Sequence, residues 1–266
     1  NIFLVGDPGT AKSEMLKFCV RVAPRGLYTS GRGSTAAGLT AAVVRDTNGI
    51  FMLEAGATVL GDQGLVCIDE FDKMKAEDRS ALHEVMEQQT ASISKGGIVA
   101  TLNARTSILA AANPMYGKYD PFKNITENVN LPVPLLTRFD LIHVIKDKPS
   151  KERDTKIAQH IINLHTPKGI DQKSLIDSET LTKYLSYVKR IDPKLTKEAE
   201  QKILDYYMKM RNVEAEEMIT VTPRQLEGLI RMATARARLL LKTKVEEDDA
   251  ERAIYLLQNM FENAGI

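Results

Sequence analysis

The residues most able to do chemistry stand near the start of the chain: Gly6-Asp7-Pro8-Gly9-Thr10-Ala11-Lys12-Ser13. They follow an apolar run, Ile2 to Val5, and lead into a helical pattern, the setting of a phosphate-binding loop. In such a loop successive backbone N–H groups and the positive end of a helix converge on phosphate oxygens. Lys12 would neutralise the outer phosphates, and the Ser13 hydroxyl would ligate Mg²⁺. Ala11 stands where glycine usually precedes the lysine, so the loop must tolerate a methyl group there. A second apolar run, Leu65-Val66-Cys67-Ile68, ends in Asp69-Glu70. Two carboxylates at the carboxyl end of a strand lie where open α/β sheets bind their ligands. Asp69 would hold Mg²⁺, and Glu70 would orient and deprotonate the water that attacks a γ-phosphate. Alone, the same pair reads as an acidic turn before a helix.

Asn113 closes the apolar run Ser107 to Ala112 and precedes Pro114, an ordinary turn signal. If that strand lies beside the Asp69 strand, the Asn113 amide reaches the same edge and senses the γ-phosphate. Arg138, in Leu-Leu-Thr-Arg-Phe-Asp, suits a finger that stabilises transition-state charge, and equally a local ion pair with Asp140. Arg224 follows Thr222-Pro223, which read as an N-cap and first helical residue. A cation there opposes the helix dipole by about 0.3–1 kcal/mol, a penalty that an external anion would remove. Arg231 and Arg238 share its stripe, opposite an apolar face of Leu226, Ile230, Ala233 and Ala237. They read as a solvated basic face. His83, His143, His160 and His165 have no metal-binding spacing.

The elements that must carry these residues alternate. Strand signals at Ile2 to Val5, Gly26 to Thr29, Leu65 to Ile68, Ser107 to Ala112 and Leu141 to Ile145 are interleaved with helical repeats such as Met15, Phe18, Cys19, Val22 and Ala81, Leu82, Val85, Met86. The pattern predicts an α/β fold with a mostly parallel five-stranded sheet. A helix over 150–164 and a turn-rich stretch follow, then helical patterns alone: a core over 1–166, a linker over 167–178 and a helical lid over 179–266. The 266 residues suffice for these two units without disulfide or metal support. Lys plus Arg number 36 against 35 Asp plus Glu, so any nucleic-acid contact must be local. Trp is absent and aromatics make up 6%, which disfavours a base-stacking platform. No apolar run approaches the roughly 20 residues of a membrane span. Cys19 and Cys67 read as buried free thiols of a reducing, intracellular compartment. A start at Asn1, already strand-like, reads as a piece of a longer polypeptide.

The stretches GDPGTAKS, YTSGRGSTAAGLTAAVVRD, CIDEFDKM, LHEVMEQQTASISKGGIVATLNAR, LAAANP and LLTRFD together resemble the AAA+ motor region of MCM (minichromosome maintenance) replicative helicases, over nearly the whole chain. The family's loop is similar at Ala11. The resemblance implies an AAA+ P-loop NTPase with a helical lid, an ATPase with ATP and Mg²⁺ at each subunit interface, and a hexamer with DNA, single- or double-stranded, in its central pore. By the same resemblance Lys12 and Ser13 are Walker A, Asp69 and Glu70 Walker B, Asn113 sensor 1, Arg138 an arginine finger and Arg224 a sensor 2 acting in trans. A slightly archaeal character implies a homohexamer, in cytoplasm or nucleoid; a eukaryotic member would be nuclear. Residues 91–105 alternate around Ser94-Lys95-Gly96-Gly97 and read as a hairpin, placed where the family has its pore hairpin with Lys95 as phosphate contact. Asn48-Gly49 marks a second hairpin, similar to the family's helix-2 insertion and carrying Arg45. Both also read as surface turns. A protein-remodelling or transcription-activating AAA+ ATPase would share the nucleotide site but not these loops, and a non-hydrolysing scaffold would lack the full residue set.

Overall fold

A computed structural model describes residues 1–47, 49, 51–95, 97–164, 175–212 and 222–264. Strands β1 (Ile2–Gly6) and β2 (Gly26–Ser30) flank helix α1 (Lys12–Val22). The short helix α2 (Ala36–Leu39) leads to the hairpin β3 (Ala41–Arg45) and β4 (Phe51–Ala55), then to α3 (Ala57–Leu60) and β5 (Leu65–Asp69). Helix α4 (Ala76–Gln88) precedes a second hairpin, β6 (Thr90–Lys95) and β7 (Ile98–Asn103). Strand β8 (Ser107–Ala112), short helices α5 (Ile125–Val129) and α6 (Val133–Leu136), β9 (Leu141–Ile145) and α7 (Lys151–Leu164) complete the first part.

The five strands read from sequence form one parallel sheet in the order β2-β5-β8-β1-β9. Val5 stands opposite Ala112, Ile68 opposite Ala110, and Ser30 opposite Asp69. The segments after β1, β5 and β8 therefore leave the same edge side by side. Burial on both faces explains the near-continuous apolar strands: Phe3, Val5, Val66, Ile68, Ala110 and Ala111 are fully buried. Phe3 stacks on Phe139 at 4.9 Å and meets Phe71 edge-on at 5.6 Å. Each of those partners immediately follows a candidate site residue, Arg138 or Glu70, so the aromatic cluster anchors both neighbours.

The stripe expected on α1 needs correction, because Met15 and Phe18 are half exposed while Leu16 and Val22 are buried against the sheet. Cys67 is buried as expected and Cys19 only partly so. Burial pushes the Cys67 thiol up to about 12.

The carboxyl-terminal part contains α8 (Ser178–Val188), β10 (Lys194–Leu195), α9 (Lys197–Asn212), α10 (Pro223–Leu239), β11 (Lys244–Val245) and α11 (Glu247–Ala264). Two-residue β10 and β11, too short to show periodicity, pair in parallel and tie the loops before α9 and α11 together. Helix α11 packs on α9, α10 and β9, and α8 packs on α1. Most of the expected linker, 167–174, lies outside the described residues. Among the described residues no helix is long and apolar enough to cross a membrane.

Candidate nucleotide site

The loop after β1 is shaped by two left-handed residues, Gly9 (φ +85°) and Ala11 (φ 58°). Glycine adopts this conformation freely, whereas alanine does so at roughly 1–2 kcal/mol, so Ala11 is held there by its surroundings. The loop closes on Lys12: its buried Nζ donates to the Gly6 and Asp7 carbonyls at 2.7 and 2.8 Å and to Thr10 Oγ1 at 3.2 Å. Burial lowers the Lys12 pKa against the pull of Asp7, Asp69 and Asp72. Gly6 has no room for a side chain, because a Cβ would meet the Ile145 carbonyl oxygen at 2.4 Å. The Asp7 carboxylate is committed to the scaffold, accepting from the Tyr119 and Asp147 N–H groups at 2.8 and 2.9 Å.

Pro8, Gly9, Thr10, Ala11, Lys12 and Ser13 line a cleft of about 380 Å³ that also exposes Asp69, Glu70 and Asn113. Gly6 and Asp7 are not among its lining residues. Strand β8 does run beside β5, so the condition set for Asn113 is met. The Asn113 N–H donates to Asp72 Oδ1 at 3.1 Å, which fixes its backbone.

Two residues that the sequence reading did not single out, Tyr28 and Ser30, complete the wall from β2. Tyr28 Oη donates to Asp69 Oδ2 at 2.8 Å, and Ser30 Oγ donates to Glu70 Oε2 at 3.0 Å. Burial and the bond to Asp69 push the Tyr28 phenol up to about 12. Burial alone would raise the Asp69 pKa. Hydrogen bonds from Ser13, Tyr28 and the Glu70 N–H outweigh it and hold the carboxyl below its usual value, so it stays ionised. Glu70 itself is left-handed (φ 49°, ψ 41°), a strained backbone at the point where β5 leaves the sheet. The signal that could have found Tyr28 and Ser30 is polar residues closing a strand, decisive only once β2 is known to pair with β5.

Arg138 and Arg224 do not line this cleft. They stand together elsewhere on the chain, close enough that the Arg138 charge, after burial, contributes to lowering the Arg224 pKa. Arg224 Nη1 donates to the Thr137 carbonyl at 3.4 Å. The suggested Arg138–Asp140 pair does not form: Asp140 is held by Arg231 Nη2 and the Asn1 nitrogen, each at 2.6 Å, and Arg138 turns to Glu87 and His83 instead. Arg231 is therefore a tie between α10 and the core, not a merely solvated charge. Thr222 does begin α10, its N–H donating to Gln225 Oε1 at 2.9 Å.

The two hairpins pack side by side through β3 and β6. Lys95 ends β6, exposed and opposite Ile98 across the turn. Arg45 ends β3, its guanidinium 5.3 Å from the Phe51 ring centre and its Nε donating to the Gly49 carbonyl at 3.0 Å. Asn48, on which that turn was read, is outside the described residues.

A loop of this shape after a parallel strand, with paired carboxylates at the same edge of the sheet and a helical lid, defines a P-loop nucleotide-binding protein. Residues 1–165 match the MCM P-loop domain, and residues 179–261 match the MCM AAA-lid domain. The chain belongs to the MCM family. It is 51% identical over 271 residues to the minichromosome maintenance protein MCM of Saccharolobus solfataricus, covering 100% of this chain and 39% of that protein. It is 50% identical over 266 residues to DNA replication licensing factor MCM4 of Arabidopsis thaliana, covering 97% and 31%. DNA replication licensing factor mcm7 of Xenopus tropicalis is 47% identical over 263 residues, covering 97% and 36%. The chain thus spans about a third of the length of these relatives.

Proposed function

We propose that this chain is the ATP-hydrolysing motor of a hexameric replicative DNA helicase, working inside the cell, with each ATP bound between two protomers. The organisation we assign is a nucleotide-binding core over 1–166, a linker over 167–178 and a lid over 179–266. One observation carries the reading: the cleft holding Lys12, Asp69, Glu70 and Asn113 contains neither Arg138 nor Arg224, while those two arginines stand together at another place on the chain. Each half supplies what the other lacks.

In this reading Lys12 gives up its bonds to the Gly6 and Asp7 carbonyls for the outer phosphates, and N–H groups of the loop from Pro8 to Ser13 take the remaining oxygens. Ser13 and Asp69 fit Mg²⁺, since the hydroxyl already hydrogen-bonds the carboxylate and hard oxygen donors suit that ion. When bound, Mg²⁺ supplies neutralising charge on the phosphates. Glu70 takes the proton of the attacking water, Asn113 orients that water, and Arg138 and Arg224 of the adjoining protomer offset the charge on the transferring phosphoryl group. Lys95, together with Arg45, contacts the phosphate backbone of DNA in the pore. Lys95→Ala is expected to weaken DNA binding regardless of sequence and to make it less sensitive to salt, the slope falling by about 1 for each phosphate that the lysine neutralises.

The test mixes two inactive proteins, Lys12→Ala with a poor pocket and Arg138→Ala with a poor finger. Recovery of ATPase activity on mixing is expected, because some interfaces then unite an intact pocket with an intact finger. No recovery at concentrations where rings assemble refutes the shared site.

A further inference from the structure

The guanidinium of Arg138 is gripped along one edge. Its Nη2 donates to Glu87 Oε2 at 2.6 Å and its Nε to His83 Nε2 at 3.3 Å. His83 and Glu87 lie four residues apart on α4 and hence on one helix face. A ring nitrogen that accepts from Nε does so through its lone pair, which leaves Nδ1 as the other nitrogen of the ring. That atom faces Glu87 Oε2 at 3.9 Å. The two residues thus form one acceptor surface, the carboxylate for one nitrogen of the arginine and the ring for another.

A guanidinium presents its five N–H bonds in a fixed plane, so fixing Nε and Nη2 fixes the direction of Nη1 as well. Arg138 is mostly buried, its side chain 14% exposed, whereas Glu87 is half exposed and could remain in water without a partner. The pairing therefore constrains the arginine more than it relieves the acid. Arg224 stands close by, its Nη1 donating to the carbonyl of Thr137, the residue before Arg138, at 3.4 Å, and burial followed by the Arg138 charge lowers its pKa against the pull of Glu87 and Asp140.

We propose that Glu87 and His83 are positioning residues for Arg138, holding its guanidinium so that the free edge, with Arg224 beside it, meets the phosphate chain of a nucleoside triphosphate on the adjoining protomer. This rests on the reading that Arg138 acts across the protomer boundary and adds the residues that aim it. Pre-orientation matters because an ångström-scale misplacement of a charge-stabilising group costs up to about a hundredfold in rate. Glu87 touches no substrate. Its loss would lower kcat without changing KM, since the groups that bind the nucleotide belong to the other protomer.

The experiment measures steady-state ATPase activity of the full chain, assembled and mixed, with Glu87→Ala, Glu87→Lys, Glu87→Gln and His83→Ala. Glu87 is half exposed, so the Lys variant needs no burial and serves should the Ala variant fold poorly. Glu87→Ala and Glu87→Lys are expected to lose about ten- to a hundredfold in kcat with KM unchanged, and His83→Ala to lose less in the same direction. Glu87→Gln, which keeps an acceptor oxygen, restores most of the rate. Mixing separates aim from mere stability: Glu87→Lys should recover activity with Lys12→Ala but not with Arg138→Ala. Recovery with Arg138→Ala, a rise in KM alone, or parental kcat in both Glu87→Ala and Glu87→Lys would overturn the proposal. Retained turnover in Arg138→Ala itself would instead remove the shared-site reading beneath it, so the two failures are distinguishable.

Discussion

Helix α10 carries cationic groups at both ends, and the two ends are built in opposite ways. At its carboxyl end Arg236 donates to Asp249 and Asp248 at 2.5 and 2.8 Å, and Lys242 reaches Glu246, Asp248 and Asp249 at 2.8 to 3.1 Å. Asp249 is fully buried and also accepts the Glu246 N–H. These cations stand at the negative end of the helix dipole, and their hydrogen bonds to carboxylates raise both pKa values. At the amino end Arg224 opposes the dipole, is partly desolvated and sits beside a second arginine, its guanidinium donating to a carbonyl at 3.4 Å with Glu87 and Asp140 nearby. Charges matched within the chain hold the fold together. A charge left short of partners at a cost to the fold is available to an anion from outside.

The largest effect that could break this contrast is catalytic. Under the proposed function, Arg138→Ala and Arg224→Ala are expected to cut ATPase activity steeply, by about 10³-fold for Arg138, the low end of what an arginine finger contributes. Arg224→Ala should at the same time leave thermal stability unchanged or raise it by up to about 1 kcal/mol, because the dipole penalty is removed. Asp249→Ala should do the reverse. Losing the buried carboxylate costs about 3 kcal/mol, the low end for a broken buried pair because Arg236 keeps Asp248, while turnover per folded ring stays at the parental level. Denaturant unfolding and ATPase assays on the same preparations check both. A stability loss in Arg224→Ala as large as that in Asp249→Ala would erase the distinction.

Much of this architecture is legible in the residues because its signals are local. All five core strands are bounded by Gly, Pro or Asp, and the phosphate loop and the Asp69-Glu70 pair stand at strand ends. The order β2-β5-β8-β1-β9 is not legible, since parallel partners are distant in sequence and any apolar strand fits any neighbour. Tyr28 and Ser30 were invisible for that reason: their partners Asp69 and Glu70 lie 41 and 40 residues away. Glu87 reads as an ordinary charge on a helix face until α4 is placed against the segment before β9. Arg138 shows the same limit from the other side. Its nearest acid in sequence, Asp140, is claimed by Arg231 from 91 residues away. Short helices α2, α3, α5 and α6, of four or five residues, offer too few turns for a periodic signal.

The smallest effect concerns how the matched end of α10 responds to acid. Hydrogen bonds from Lys242 and then Arg236 hold the Asp248 carboxyl at about 2, below its ordinary value near 3.9. A carboxylate with a depressed folded-state pKa binds fewer protons when folded than when unfolded between those two values, so stability rises with pH across that window. Its contribution is complete above about pH 4 and disappears as the pH falls through about 2. Asp248→Asn removes the charge at every pH. Urea midpoints of parent and variant should therefore differ at neutral pH and converge near pH 2. Asp249, Glu246, Arg236 and Lys242 face the same group and are present in both proteins, so their own titration cancels from the comparison to first order. A gap that persists undiminished at pH 2 would mean that Asp248 acts through packing or its neutral hydrogen bonds, and the matched end of the helix would no longer owe its stability to paired charge.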